Sequence, residues 1–284
     1  MDFYYKSNNL NLKNIKMKAS VIISFYQKIE YLKLVLAGFE RQSEREFEII
    51  IADDGSNSSI SNQIEELSRV ISYPVLHVWQ EDKGFRKNKI LNRAVASSNS
   101  DYIIFVDGDC VPHFRFVEEH LKSSERKICF TGRRVNLSQK FTDELKEGNV
   151  KKGYLEKNLH LMIFDGLFGK SNYVEKGFYV KNNFLRKIFN RKKRGLLGCN
   201  FSLFKEDLLS INGFDERYEA PSIGEDSDIQ FRLELNGVKI KSLNNIAVQY
   251  HLYHKLQPRL KKNLDLFNNI KSEKTAFTKF GIKK

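Results

Sequence analysis

Residues 101–109 read DYIIFVDGD, and this stretch decides the fold. Its first six residues are a short β-branched and aromatic run, the composition of a strand buried on both faces. The run stops at Asp107-Gly108-Asp109, two carboxylates around a glycine. Toward the N-terminus the same design recurs. Residues 47–52 (FEIIIA) run into Asp53-Asp54-Gly55-Ser56, and residues 19–25 (ASVIISF) form a third apolar run. A further strand is expected at 75–79. Between these runs the period changes to that of helices, over 28–42 (Ile29, Leu32, Leu36, Phe39), 59–72 and 87–98. A βαβαβαβ succession predicts an α/β fold with a parallel, right-handed, doubly wound sheet. Ligands of such sheets bind outside the carboxyl ends of the strands, where both acidic clusters fall.

Beyond residue 132 the rhythm breaks, and residues 133–195, rich in Lys, Asn, Gly and aromatics, offer no assignable pattern. Order resumes with a strand over 198–204 (GCNFSLF), a short helix over 205–211 and an acid-capped helix over 225–235. Strands at 239–243 and 247–251 follow. The expected organisation is an N-terminal extension (1–17), a first ordered half (18–132), a variable insertion (133–197), a second ordered half (198–254) and a basic amphipathic tail (255–284).

With 284 residues, 41% hydrophobic, the chain can bury a full core. No window approaches about 18 consecutive apolar residues, and the first 16 residues lack the apolar core of a signal peptide. Three cysteines, odd in number and far apart, suggest neither a disulfide framework nor a CxxC metal site. The chain reads as cytoplasmic. Its 48 Lys and Arg exceed its 35 Asp and Glu by 13. Residues 181–194 carry 7 bases and no acid, and residues 255–284 carry 9 bases against 2 acids, so the rest of the chain is near neutral. Phe184, Leu185, Ile188 and Phe189 interleave with the first set of bases; Leu260, Leu264, Phe267 and Ile270 do so with the second. Two basic amphipathic helices fit docking on an anionic membrane surface better than groove reading of nucleic acid. Solvated charged faces are the alternative.

Several residues can carry chemistry. Asp107 and Asp109 offer hard oxygen ligands for Mg²⁺ or Mn²⁺, although an acidic turn has the same sequence. Asp53-Asp54-Gly55-Ser56 alone would read as a turn; its place at a neighbouring strand end gives it weight. Glu225, Asp226 and Asp228 open a helix. One acid there complements the helix dipole, whereas three repel one another unless a cation or a catalytic role is involved. His251 and His254 lie within four residues at a strand end, where neutral imidazole would complete a carboxylate-bound metal site. The cations of Gly84-Phe85-Arg86-Lys87 could meet phosphate.

Taken in order, SVIISFYQ, IIIADDGS, QEDKGFRKNKILNRA, DYIIFVDGDCVPH, GCNFSLFKEDLLSINGFDE, GEDSDIQFRL and YHLYH resemble one family. The chain resembles bacterial family-2 glycosyltransferases of the GT-A fold, with a galactosyltransferase-like C-terminal region, over roughly 18–132 and 196–254. The resemblance implies a Rossmann-like nucleotide-sugar-binding domain with a mostly parallel central sheet, in which 18–132 would be the nucleotide-sugar-binding half, 133–197 the acceptor region and 198–254 the catalytic and acceptor-binding half. It implies that Ser24 and Tyr26 hold the nucleotide base, Asp54 the uracil ring and Arg86 the diphosphate. Asp107 would touch ribose or metal, and Asp109 would bind Mn²⁺ or Mg²⁺ directly with His251, or alternatively His254. Asp226 would be the catalytic base, Glu225 and Asp228 would contact acceptor or sugar, and Gly198-Cys199-Asn200 would lie beneath the donor sugar. Two departures are visible. Ser24-Phe25-Tyr26-Gln27 stands where Pro-x-Tyr-Asn is usual, and Ser222-Ile223 stands where an aromatic often precedes Gly-Glu-Asp.

The implied reaction is inverting, metal-dependent transfer of a sugar from a UDP-sugar to a hydroxyl of a glycan or lipid-linked acceptor, at the inner face of a bacterial membrane. Competing readings are an inactive nucleotide fold bound to anionic membranes, and a nucleic-acid-binding protein. The second lacks a recognition helix or zinc motif, so no nucleic-acid partner is expected.

Overall fold

A computed structural model describes residues 4–6, 17–182, 184–186, 195–220, 225–255 and 260–283. The apolar runs become strands: β2 (Ala19–Phe25), β3 (Phe47–Asp53), β4 (Val75–Trp79) and β5 (Tyr102–Asp107), following a short β1 (Tyr4–Lys6). Helices α1 (Ile29–Phe39), α2 (Ser58–Val70) and α3 (Lys87–Ser97) connect β2 through β5. These four pair in parallel in the order β4-β3-β2-β5, the 3-2-1-4 order of a doubly wound sheet. Alternate residues of each strand feed two cores. Val21, Ile23, Ile49, Ile51, Ile104 and Val106 face one side, and Ile22, Ile50, Ala52, Ile103 and Phe105 the other. Burial on both faces explains why these strands read as unbroken apolar runs.

After β6 (Cys110–Pro112), α4 (Phe116–Ser123), β7 (Ile128–Thr131) and β8 (Arg133–Asn136), the chain forms four short helices. These are α5 (Gln139–Glu144), α6 (Glu147–Lys151), α7 (Tyr154–Lys157) and α8 (Leu159–Leu167), followed by a 3₁₀ turn at Val174–Gly177. Then come β9 (Asn200–Phe204), α9 (Lys205–Leu209), α10 (Glu225–Leu235), β10 (Lys239–Ser242), β11 (Val248–His251) and α11 (Lys261–Glu273). The strand expected over 198–204 enters the large sheet antiparallel, between β5 and β7, and β10 closes that edge parallel to β7. Stacked Phe105 and Phe201 rings, 4.5 Å apart and met edge-on by Phe214, pin β9 to β5. A second sheet, β6-β11-β8, stands at the carboxyl end of the first and carries the last expected strand.

The C-terminal segment is partly committed to the domain. Phe267 meets Phe231 of α10 edge-on and Ile270 is buried, whereas Leu260 and Leu264 stay exposed. Downstream, Asn212 bonds to the Thr278 and Lys283 carbonyls, and Thr278 donates to Asp215. Part of the apolar stripe of the expected amphipathic tail therefore packs on the domain, with Phe267 against α10. Of the first basic segment, Phe184 and Leu185 are exposed, while Ile188 and Phe189 lie outside the described residues, as does Ser222-Ile223. Among the described residues no helix is long and apolar enough to cross a membrane.

A buried polar chain links the layers: Tyr102 to Ser202, Ser202 to His120 Nδ1, and His120 Nε2 to Asn200. Burial pushes the His120 imidazole down to about 3 and that of His113 down to about 4, the latter helped by Arg41 and Arg115. Both rings stay neutral in the folded protein while the unfolded chain would protonate them near 6.5. Their contribution is thus present above about pH 6.5 and is lost as pH falls toward the folded values. Denaturant midpoints between pH 7 and pH 4 should fall steeply. His113→Gln should flatten the profile by up to about 3 kcal/mol.

Candidate active site

The site lies at the carboxyl edge of β2, β3 and β5, where Asp54, Asp107, Asp109, Glu225 and Asp226 gather with Lys87 and Arg134. The Asp107 carboxylate takes a bond from Ser24 Oγ at 2.6 Å and from Lys87 Nζ at 2.9 Å. Burial alone would push its pKa up, but the Lys87 ammonium and the Ser24 bond outweigh burial and hold it below the usual carboxylate range. Lys87 is correspondingly raised. Desolvation opposes its charge, and the carboxylates of Asp107, Asp226 and Glu225 overcome it.

Asp54 sits one strand over. Its Oδ1 accepts from Gln80 at 2.6 Å and its Oδ2 from the Arg86 backbone N–H at 2.7 Å, and burial pushes the carboxyl up. The Arg86 guanidinium itself turns back to the Glu81 carbonyl. Tyr26 is half exposed beside these groups and donates to Asp82 at 2.9 Å. Ser24, Tyr26, Asp54 and Asp107 thus line one edge. In the cation-bearing loop, Lys87 is the side chain that reaches the acids.

Asp109 Oδ2 lies 3.5 Å from His251 Nε2 and 3.2 Å from His254 Nε2, and the two imidazole nitrogens are 3.2 Å apart. The backbone enforces this meeting, because Leu252 N–H donates to the Asp109 carbonyl and β11 pairs His251 with Cys110. His254 Nδ1 donates to the Lys255 carbonyl, so in the neutral ring, the form a cation would require, Nε2 carries the lone pair. Burial opposes ionisation of Asp109, but both histidines hold it well below the ordinary range, and the same contact raises His254. Ligand atoms around one divalent cation stand about 3.0–3.4 Å apart, so this trio fits such an ion. Cys110 Sγ also lies in this neighbourhood. Burial pushes its thiol well up, and it faces Cys199 and Arg134, whose Nη1 is 3.8 and 3.3 Å from the two sulfurs. A protonated thiol is a poor ligand for a hard cation.

Asp226, in the first turn of α10, is half-buried, and its Oδ2 accepts from the Gly198 N–H at 2.8 Å. Burial raises its carboxyl, with the Asp107 charge adding and Lys87 opposing. A Cβ on Gly198 would overlap this carboxylate. Gly198→Ala is expected to displace the Asp226 carboxylate from the Gly198 N–H. Glu225 is buried beside Asp226.

Two expectations are corrected. Asn200 is fully buried; its amide donates to the Arg133 and Ala247 carbonyls and its Oδ1 faces His120, so it braces the sheets and has no surface for a sugar. Asp228 points inward and is paired with Arg232 at 2.6 and 2.9 Å, while Arg232 also caps the Ile211 and Gly213 carbonyls. Arg134 and the Cys110–Cys199 contact escaped sequence reading, whereas Lys87, expected with Arg86 as a cation that could meet phosphate, is found paired with Asp107.

The chain is similar to known proteins. The chain is 26% identical to an uncharacterized glycosyltransferase, YfnE, of Bacillus subtilis, covering 90% of this chain and 72% of that protein. It is 24% identical to Escherichia coli chondroitin synthase, covering 82% of this chain but only 34% of the synthase. Among solved structures, S. aureus TarS 1-349, crystallised with UDP-GlcNAc, superposes with a TM-score of 0.58 at 18% identity, over 90% of this chain and 66% of that one. The shared architecture is that of GT-A glycosyltransferases. Residues 182–255 match the profile described as the N-terminal domain of galactosyltransferase, a span that includes Asp226, His251 and His254. Residues 20–194, which carry the doubly wound sheet and both acidic strand ends, match the profile of glycosyl transferase family 2, and the chain is a glycosyltransferase of that family.

Proposed function

We propose that the chain moves a sugar from a UDP-sugar to a hydroxyl of a growing bacterial surface glycan, with inversion at the anomeric carbon. The observation that carries this reading is the convergence of three groups at one strand edge: the Asp109–His251–His254 trio, the Lys87–Asp107 pair and the half-buried Asp226. Ser24, Tyr26 and Asp54 would hold the nucleoside. Asp226 would take the acceptor hydroxyl proton as that oxygen bonds to the anomeric carbon, and the bond to the β-phosphate oxygen would break with its electron pair leaving on UDP. Lys87 and Arg134 would place positive charge beside the departing diphosphate. Asp109, His251 and His254 would hold a divalent ion, which when bound supplies Lewis-acid neutralisation of the diphosphate. Two imidazoles in the donor set favour a first-row ion such as Mn²⁺ over Mg²⁺.

The test is release of UDP from a panel of UDP-sugars with Mn²⁺, with Mg²⁺ and with EDTA. Metal-dependent turnover of one donor is expected. No turnover together with no metal-dependent UDP binding would overturn the reading.

Residues 133–197 would govern the acceptor, and their surface supports work at an anionic membrane. Phe164, Leu167 and Phe168 on and after α8 are 62%, 74% and 80% exposed, with Lys157, Lys170 and Lys181 exposed nearby in sequence. Triple replacement of the three apolar residues by Asn should weaken co-sedimentation with anionic vesicles at least about tenfold. Equal binding of the parent protein to neutral vesicles would sink the electrostatic component.

A further inference from the structure

Gln80 follows β4 directly and is 2% exposed. Its Nε2 donates to Asp54 Oδ1 at 2.6 Å and to the Arg86 carbonyl at 3.2 Å. Both partners are acceptors, so they fix which end of the amide is nitrogen. Its Oε1 is buried and, among the described residues, has no hydrogen-bond partner. An orphaned carbonyl is costly, and a Met or Leu of similar volume would avoid that cost. The amide is therefore kept here for what its nitrogen does to Asp54.

The carboxylate is gripped from two sides. Asp54 Oδ2 accepts from the Arg86 N–H at 2.7 Å, so Gln80 and Arg86 hold one oxygen each. Burial pushes the Asp54 carboxyl up, and the Arg86 N–H and the Gln80 amide oppose it. Neighbouring residues brace the two loops. Ser56 N–H bonds to Asp53 Oδ1, His77 Nε2 lies 3.0 Å from Asp53 Oδ2, and the Trp79 indole N–H donates to the Ser56 carbonyl. Gly55 (φ 99°) packs so closely on Asp82 that a Cβ there would overlap its backbone. Asp53 thus serves the turn, and Asp54 keeps a lone pair on each oxygen for a ligand at the edge it shares with Tyr26.

We infer that Gln80 is a positioning residue that makes the site choose uracil over cytosine, by holding the Asp54 carboxylate as an acceptor for the ring N3–H. The inference rests on the proposed UDP-sugar reading and assigns the origin of its base selectivity. Uracil carries a hydrogen at N3, whereas neutral cytosine presents a lone pair there. A carboxylate gripped by two N–H donors can only accept, so it binds the first and repels the second. Without the Gln80 amide the carboxylate keeps one donor, turns more freely and takes up a proton more readily in its buried setting. A protonated carboxyl donates to cytosine N3, and the distinction between the two bases shrinks.

The full chain with Mn²⁺ is titrated calorimetrically with UDP and with CDP. Ribose, diphosphate and metal are common to both, so the ratio of the two dissociation constants reports the base alone. The parent protein is expected to favour UDP at least about 30-fold. Gln80→Met, which nearly keeps the volume and removes the amide, should weaken UDP binding about tenfold and shrink the ratio by at least about tenfold. Gln80→Leu is titrated alongside, so that a failure of one variant to fold leaves the ratio readable. A purely structural role would weaken UDP and CDP together and leave the ratio intact. That result overturns the inference, as does equal binding of the two nucleotides by the parent protein. Either outcome with metal-dependent UDP binding intact leaves the transferase reading standing, whereas no metal-dependent UDP binding in the parent protein removes both.

Discussion

Asp226→Asn is expected to lower kcat by about 10²–10⁴-fold, the usual range for loss of a general base, with UDP affinity nearly unchanged. Asparagine keeps an oxygen to accept the Gly198 N–H bond that fixes this side chain at 2.8 Å, so the substitution removes proton acceptance and leaves the geometry. The environment suits the role. Burial raises the Asp226 carboxyl, the Asp107 charge adds to that, and Lys87 restrains it. A raised base binds the acceptor proton more strongly than an exposed carboxylate would, at the cost of being protonated over a wider acidic range. The sign follows: turnover should rise with pH through the raised Asp226 value and level off above it, and this acidic limb should vanish in Asp226→Asn. Rate profiles with UDP binding measured in parallel check both points. If Asp226→Asn retains full kcat, the base lies elsewhere; Glu225, buried beside it, would be the next residue to test.

The doubly wound half was legible because strands buried on both faces write themselves as apolar runs, and because a ligand edge at their carboxyl ends collects Asp54, Asp107 and Asp109. Residues 225–235 were legible as a helix for the same kind of local reason. Strand direction was not, since the apolar pattern of 200–204 is the same whether it enters parallel or antiparallel, and only packing of Phe201 on Phe105 and Phe214 decides. Side-chain direction explains the two mistaken site residues. Positions two apart on a helix diverge by about 200°, so Asp226 faces the cleft while Asp228 faces the core. The i, i+4 spacing of Asp228 and Arg232 was a readable sign of that pair. Asn200 was placed beneath the donor sugar by resemblance alone, yet β9 is central and Asn200 is buried in it. Residues 133–182 resisted reading because four helices of four to nine residues leave too few turns for a period to show.

Asp109→Ala should abolish the dependence of UDP binding on a divalent ion. In the parent protein, UDP titrated calorimetrically with Mn²⁺ should bind more tightly than with EDTA; in Asp109→Ala the two curves should coincide. The reason lies in the donor set. Asp109 contributes its only carboxylate oxygen, within 3.5 Å of both imidazole nitrogens, and without it two neutral imidazoles hold a hydrated ion weakly. A fall in ion affinity of at least about 10²-fold is expected, beyond what loss of a supporting hydrogen bond does. The histidines should not be equivalent. His251 is buried on β11, paired with Cys110 and Asn136, so its ring is positioned before any ion arrives. His254 lies past the strand end, more exposed, anchored by one bond to the Lys255 carbonyl. Ordering that segment costs conformational entropy that β11 has already lost on folding. His251→Ala should therefore approach the Asp109→Ala phenotype, and His254→Ala should retain a measurable gap between the Mn²⁺ and EDTA curves. The reverse ranking would assign the principal ligand to His254. Coincident curves in the parent protein would remove the ion from the site altogether.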